Sequence, residues 1–215
     1  MRLICLVAGL VLLGSAASDY AETRIPCSQS ITRALQSRAV LSIESTPAGL
    51  QIVGTDEDAI RVSCTAGSNE IAESVALHFS PTANGGRLSI EYKQSTHGNN
   101  NLAVKIEVPR RVSLSVRIVA GQVTVREVKG DKDIQVGAGQ ITISPIHEGD
   151  YNDVDASVGV GEVQARAFGT DQGGFFRSFH KKFPNGDYVL RAHVTTGQIQ
   201  LLGNAGQGAS GAKPD

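Results

Sequence analysis

Apolar and polar residues alternate along most of this chain, and in four places one short word interrupts the alternation. IVAGQVTV, VGAGQITI, VGVGEVQA and VTTGQIQL centre on Gly121, Gly139, Gly161 and Gly197. One, three and five positions before each glycine stand apolar or small residues: Ala120, Ile118 and Val116; Ala138, Val136 and Ile134; Val160, Val158 and Ala156; Thr196, Val194 and Ala192. Two and four positions after it stand Val123 and Val125, Ile141 and Ile143, Val163 and Ala165, Ile199 and Leu201. Alternation with period two is a strand signal on each side. The inward face changes parity at the glycine, which an unbroken strand cannot do. Each glycine therefore reads as a corner between two short strands, with Gln122, Gln140, Glu162 or Gln198 pointing outward after it.

Seven positions past the glycine comes another apolar residue, Val128, Ile146 or Phe168, and then a second glycine at 130, 149 or 169. One unit is strand, corner, strand, turn. The corner glycines are 18, 22 and then 36 residues apart, the last gap holding an insertion at 170–188. A unit near 20 residues that cannot bury its own apolar face stacks on its neighbours. The expectation is an all-β chain whose β-solenoid or β-helix-like repeats, residues 109–203, keep the four glycines in register. A β-sandwich with look-alike hairpins is the alternative. Upstream, residues 38–108 read as a β-rich region without the glycine word: LSIESTPAGLQIVGTDEDAIRVSC gives three strands, RLSIEY and NLAVKIEVP two more, and NEIAESVALHF a strand or a short helix. STHGNNN, residues 95–101, reads as a loop tip, and residues 18–37 as an N-terminal segment. The tail from 204 to 215, NAGQGASGAKPD, cannot form a core and is expected to be disordered.

The order LSIESTPAGLQIVGTDEDAIRV, then LAVKIEVPRRVSLSVRIVAGQVTV, then glycine-centred repeats, resembles the bacterial exported family known as "putative adhesin". The resemblance runs over about residues 38–203. It implies a right-handed β-helix or β-solenoid fold, and no catalytic residues, since none are defined for the family. The family more often has an acidic residue or Asn after the glycine; three of the four copies here have Gln.

Residues 1–17, MRLICLVAGLVLLGSAA, carry Arg2, an apolar run from Leu3 to Leu13 and small residues suited to a signal peptidase. They read as a signal peptide and place the protein in the periplasm or at the cell surface. After cleavage the cysteines are Cys27 and Cys64, an even count in an oxidising compartment, which favours one disulfide. The chain carries 20 basic and 21 acidic residues, so charge alone invites neither nucleic acid nor an anionic membrane.

The chemistry-bearing residues are sparse. The five histidines, 78, 97, 147, 180 and 193, are scattered without metal-ligand spacing, and no nucleophile or phosphate-loop motif occurs. Glu148, Asp150, Asp153 and Asp155 lie close in sequence but lack calcium-loop spacing, so they read as a solvated turn. No cofactor is implied. The distinctive stretch is TDQGGFFRSFHKKFPNGDY, which packs Phe175, Phe176, Phe179 and Phe183 beside Arg177, His180, Lys181 and Lys182. It reads first as a cap over the apolar end of the stack. As a binding surface, Phe175, Arg177, Phe179, Lys181 and Lys182 would suit a glycan or a cell-envelope component, rings stacking and cations pairing. The functional expectation is a non-enzymatic, adhesin-like interaction scaffold. A β-helix polysaccharide lyase or hydrolase and an envelope sensor domain are the alternatives.

Overall fold

The computed structural model describes residues 25–46, 48–92 and 101–203. The proposed leader, most of the loop at 95–101 and the tail from 204 lie outside the described residues. The strands are β1 (Ile25–Pro26), β2 (Ile31–Ala34), β3 (Val40–Ser45), β4 (Ala48–Thr55), β5 (Ala59–Thr65), β6 (Val75–Thr82), β7 (Gly85–Tyr92) and β8 (Ala103–Pro109). Five longer ones follow: β9 (Ser113–Arg126), β10 (Lys132–Ser144), β11 (Tyr151–Ala165), β12 (Thr170–Lys182) and β13 (Tyr188–Leu201). NEIAES forms the one α-helix among the described residues, α1 (Asn69–Ser74), capped by the Ser68 hydroxyl, which accepts from the Ile71 N–H. The chain enters β6 at Val75, so that stretch is helix and then strand.

All thirteen strands join one mixed, unclosed sheet. β9, β10, β13 and β11 lie side by side in parallel, with Gly121 against Gly139, Gly139 against Gly197 and Gly197 against Gly161. The four glycines are thus in register. Their spatial order is 121, 139, 197, 161, so the fourth copy sits between the second and third. β12 takes the outer side of β11 as an antiparallel strand and carries the chain back to the start of that rung. The returning β13 then enters beside Tyr151 on the inner side.

Each long strand has two legs. In β9, Leu114, Val116 and Ile118 are buried in the first leg, Val123 and Val125 in the second, and all belong to one apolar cluster. Counting from the glycine, the buried positions are five and three before and two and four after, in every copy. The expected parity change is present, but the corner is wider than expected. Ala138, Val160 and Thr196 are exposed and Ala120 is half-buried, although the alternation assigned all four inward. The reason lies in the backbone. The glycines have φ between 130° and 141°, and the two residues before each are carried round the outside of the bend.

The upstream strands build the same bent layer without the glycine word. β3 pairs with the first leg of β9 and β4 with the second, so β3 and β4 act as one rung broken at Thr46. β7 and β8 repeat this on the far side, parallel to β3 and β4. β5 and β6 then run antiparallel on β8 and β7, with β2 and β1 at their outer edges. Cys27, between β1 and β2, is bonded to Cys64 on β5, with Cα atoms 5.1 Å apart. The bridge pins the chain's first described segment to the sheet across 37 residues, and closing such a loop stabilises by about 2–4 kcal/mol. A sandwich-like arrangement of the two halves of the bent sheet is compatible with this pairing.

A Cβ on Gly139 would fall onto the carbonyl oxygen of Gly121, and the residue has φ 141°. Gly139→Ala is expected to cost at least about 3 kcal/mol, whereas the outward-facing Gln140→Ala costs less than about 1 kcal/mol. Urea denaturation of the two variants checks this; equal losses would contradict the corner's role.

Candidate functional site

The aromatic and basic insertion forms β12, the last strand of the sheet in its direction. Pairing with β11 sorts its side chains into two sets. Arg177, Phe179 and Lys181 stand opposite Val158, Ala156 and Val154, which face the core. Phe179 is buried and stacks on Phe168, with ring centroids 5.1 Å apart and planes 23° apart. Phe183 also packs against Phe168, with ring centroids 5.6 Å apart. The Lys181 ammonium lies 4.8 Å from the Phe183 centroid and 5.7 Å from that of Phe168, a cation–π arrangement whose aliphatic stem covers apolar surface. Arg177 curls back, its Nε donating to the Gly173 carbonyl at 2.8 Å. Phe168, Phe179, Phe183 and the Lys181 stem form a cap against the core, while Arg177 is exposed.

Ser178, His180 and Lys182 stand on the opposite side, across from Ser157, Asp155 and Asp153. His180 Nδ1 lies 3.6 Å from Asp153 and 3.7 Å from Asp155, an ion pair when the imidazole is protonated. Two of the acidic residues considered for a calcium loop thus face a histidine instead. Phe175 and Phe176 belong to neither the cap nor this row. They sit at the corner of β12, 69% and 87% exposed, with Phe175 opposite the exposed Val160. The structure brings Phe175 and Arg177 close along the strand, turns Phe179 and Lys181 into the cap, and leaves Lys182 exposed.

One buried ionisable group was not singled out by the sequence pattern. Lys132 is 1% exposed, its Nζ donating to the Gly130 carbonyl at 3.0 Å and to the Tyr151 hydroxyl at 2.6 Å. It stands in the register column of Leu114 on β9 and Leu190 on β13, so a lysine at an otherwise apolar repeat position was the signal available. Burial lowers its pKa to about 7, against the pull of Asp150 and Asp131. Burial also raises the pKa of Tyr151.

No family model matches the chain, and no curated protein matches it. Among solved structures, a "putative cell adhesion protein" from Clostridium sporogenes superposes with TM-score 0.52 at 12% identity, over 82% of this chain and 99% of that one. The similarity to that "putative cell adhesion protein" is one of fold. A "putative adhesin" from Bacteroides fragilis matches 55% of this chain and 59% of its own at 13% identity, TM-score 0.30. A "putative lipid binding protein" from Parabacteroides distasonis matches 53% of this chain and 52% of its own, also at 13%, TM-score 0.24. The resemblance to adhesins drawn from the strand order thus holds at the level of the fold.

Two expectations follow from the geometry. Phe179→Ala removes a buried, stacked ring and should destabilise by about 3–5 kcal/mol, while Phe176→Ala at an exposed ring should stay within about 0.5 kcal/mol; thermal and urea melts compare them. For Lys132 the folded state disfavours the cation, so the unfolded chain holds the extra proton between about pH 7 and the ordinary lysine value. Stability therefore rises with pH from about 7 toward 10, above which the raised Tyr151 pKa works in the opposite direction. Urea melts at pH 6.5 and 9.5 should differ by on the order of 3 kcal/mol more in the wild type than in Lys132→Met.

Proposed function

We propose that the protein is a non-enzymatic, exported interaction scaffold of adhesin type, working in the periplasm or at the cell surface. Its rungs would form a right-handed solenoid-like body, and the β12 corner would meet a glycan or another cell-envelope component. The observation that carries this reading is the pair Phe175 and Phe176, 69% and 87% exposed on the sheet's terminal strand next to the exposed Arg177, with Lys182 exposed further along the same strand. Folding does not bury these rings, and aromatic rings with adjacent cations suit stacking on sugar faces and pairing with anionic groups. The solenoid-like reading is supported by the parallel, glycine-registered rungs and by the connection of only five residues, 127–131, between β9 and β10. Export is supported by the Cys27–Cys64 bridge. No helix among the described residues is long and apolar enough to cross a membrane.

Retention on isolated envelope fractions tests the reading. Phe175→Ser with Phe176→Ser, and separately Arg177→Glu with Lys182→Glu, should each weaken retention about tenfold while the melting temperature stays within about two degrees. The ionic part should also fade at high salt. Wild-type retention that neither double variant lowers would overturn the β12 corner as the contact.

A further inference from the structure

The outer face of the second legs carries a feature independent of β12's aromatic corner. Outward side chains there form two rows that run across the strands. One row holds Gln122, Gln140, Gln198 and Glu162 on β9, β10, β13 and β11; the other holds Thr124, Thr142, Gln200 and Gln164 in the same order. Register places like beside like at the strand spacing, about 4.8 Å.

The amides are bonded into a ladder. Gln198 Nε2 donates to Glu162 at 2.9 Å, and Gln164 Nε2 donates to the other Glu162 oxygen at 2.8 Å. Gln200 Nε2 donates to Gln164 at 3.0 Å and to Gln198 at 3.4 Å, and its own oxygen accepts from the Thr142 hydroxyl at 3.4 Å. Gln140 Nε2 donates to that same hydroxyl at 3.3 Å. At the far end Glu162 is held below the usual carboxylate range, first by the Gln164 hydrogen bond and then by Asp171, whose own carboxyl is raised by sharing the hydrogen bond with Glu162. Each amide offers two donors and two lone pairs, more than the ladder uses.

The rows continue onto β4 and β8, where the face becomes concave. Gly49 and Ala103 stand opposite each other in line with Gln122, and Gln51 and Lys105 in line with Thr124. The missing side chain at Gly49 leaves a trough of about 370 Å³, walled by Gln51, Ser63, Thr65, Gln122 and Thr124 and by one charged side chain, Lys105. That volume lies within the range of small-molecule sites. The Lys105 ammonium is paired with Glu107 at 2.7 Å.

We propose that this trough and the glutamine–threonine rows bind a neutral polyhydroxylated chain, a polysaccharide laid across the strands. Charge selects that occupant. Between Lys105 at one end and the Glu162–Asp171 pair at the other, the outward side chains of β4, β9, β10 and β13 in these two rows are uncharged, so neither polyanion nor polycation finds a complementary field. A long lipid tail or an apolar peptide finds no exposed large hydrophobic side chain to cover, because those among the described residues, Val40, Val119, Val160, Phe175 and Phe176, all lie off these rows. Hydroxyls both donate and accept, as amides and threonines do, and the Gly49–Ala103 floor admits the C–H face of a sugar ring. The ladder holds the long amide side chains in place before binding, so less side-chain freedom is lost on complex formation.

Affinity electrophoresis of the purified protein tests this, through gels containing dextran, mannan, xylan or hydroxyethylcellulose, with polygalacturonate as the polyanion. At least one neutral polymer should retard the wild type, and Gln140→Ala with Gln200→Ala should lower that affinity about tenfold, with an unchanged circular dichroism spectrum. A second variant, Gln51→Ala with Thr124→Ala, probes the trough should the ladder variant fail to fold. Phe175→Ser with Phe176→Ser should leave the retardation intact, which separates this face from the β12 corner. Retardation by polygalacturonate alone, by no polymer, or unaltered in both folded variants would overturn the proposal.

Discussion

The structure depends on how closely one backbone approaches another at its corners. A Cβ on Gly121 would meet the carbonyl of Ala48; on Gly139, that of Gly121; on Gly197, that of Gly139; on Gly161, that of Gly197. These contacts form one continuous line from β4 to β11. A side chain on any of these four glycines would push two neighbouring strands apart and disturb the pairing on both legs. The positive φ of the glycines supplies the second half of the constraint, since it turns the chain and exchanges its inward face within a few residues. Burial of Val, Ile and Leu in both legs supplies the driving force; the glycine line decides where each leg ends.

The block of parallel strands has two outer sides, and the chain covers them by different chemistry. On one side, antiparallel β5 and β6 cover the parallel rungs and the Cys27–Cys64 bridge holds the first described segment against β5. On the other, β12 covers β11, with Phe168, Phe179, Phe183 and the stem of Lys181 over the core. Charged residues on a terminal strand also discourage uncontrolled pairing with another sheet. Phe175 and Phe176 stand outside that logic, which is why the corner carries a functional reading and the rest of the insertion a structural one.

The polar rows of the second legs show how a repeat turns a local preference into a surface. One glutamine beside one glycine means little in a strand. Parallel, in-register pairing repeats it every rung, and amides at that spacing bond to one another along the stack. Lys132 shows the reverse case: the repeat places its side chain in a column of leucines, where it is held by Tyr151 and the Gly130 carbonyl and has its proton affinity reduced.

The sequence by itself determined the strand content, the two-legged unit, the four corners and the cysteine pair, because each rests on local chemistry: period-two alternation, glycine's backbone freedom and the parity of a pleated strand. It also marked the insertion as distinct through its density of Phe and cations. It placed Ala120, Ala138, Val160 and Thr196 inward, since alternation carries no information about how many residues a bend consumes. Only the tertiary structure decided that Gly197 lies between Gly139 and Gly161, because that order follows from β12 occupying the outer side of β11. Only it divided the phenylalanines, burying Phe179 and exposing Phe176, since strand pairing assigns the faces. And only it joined Gln122, Gln140, Gln198 and Glu162 into one row, because residues up to 76 positions apart meet through register alone.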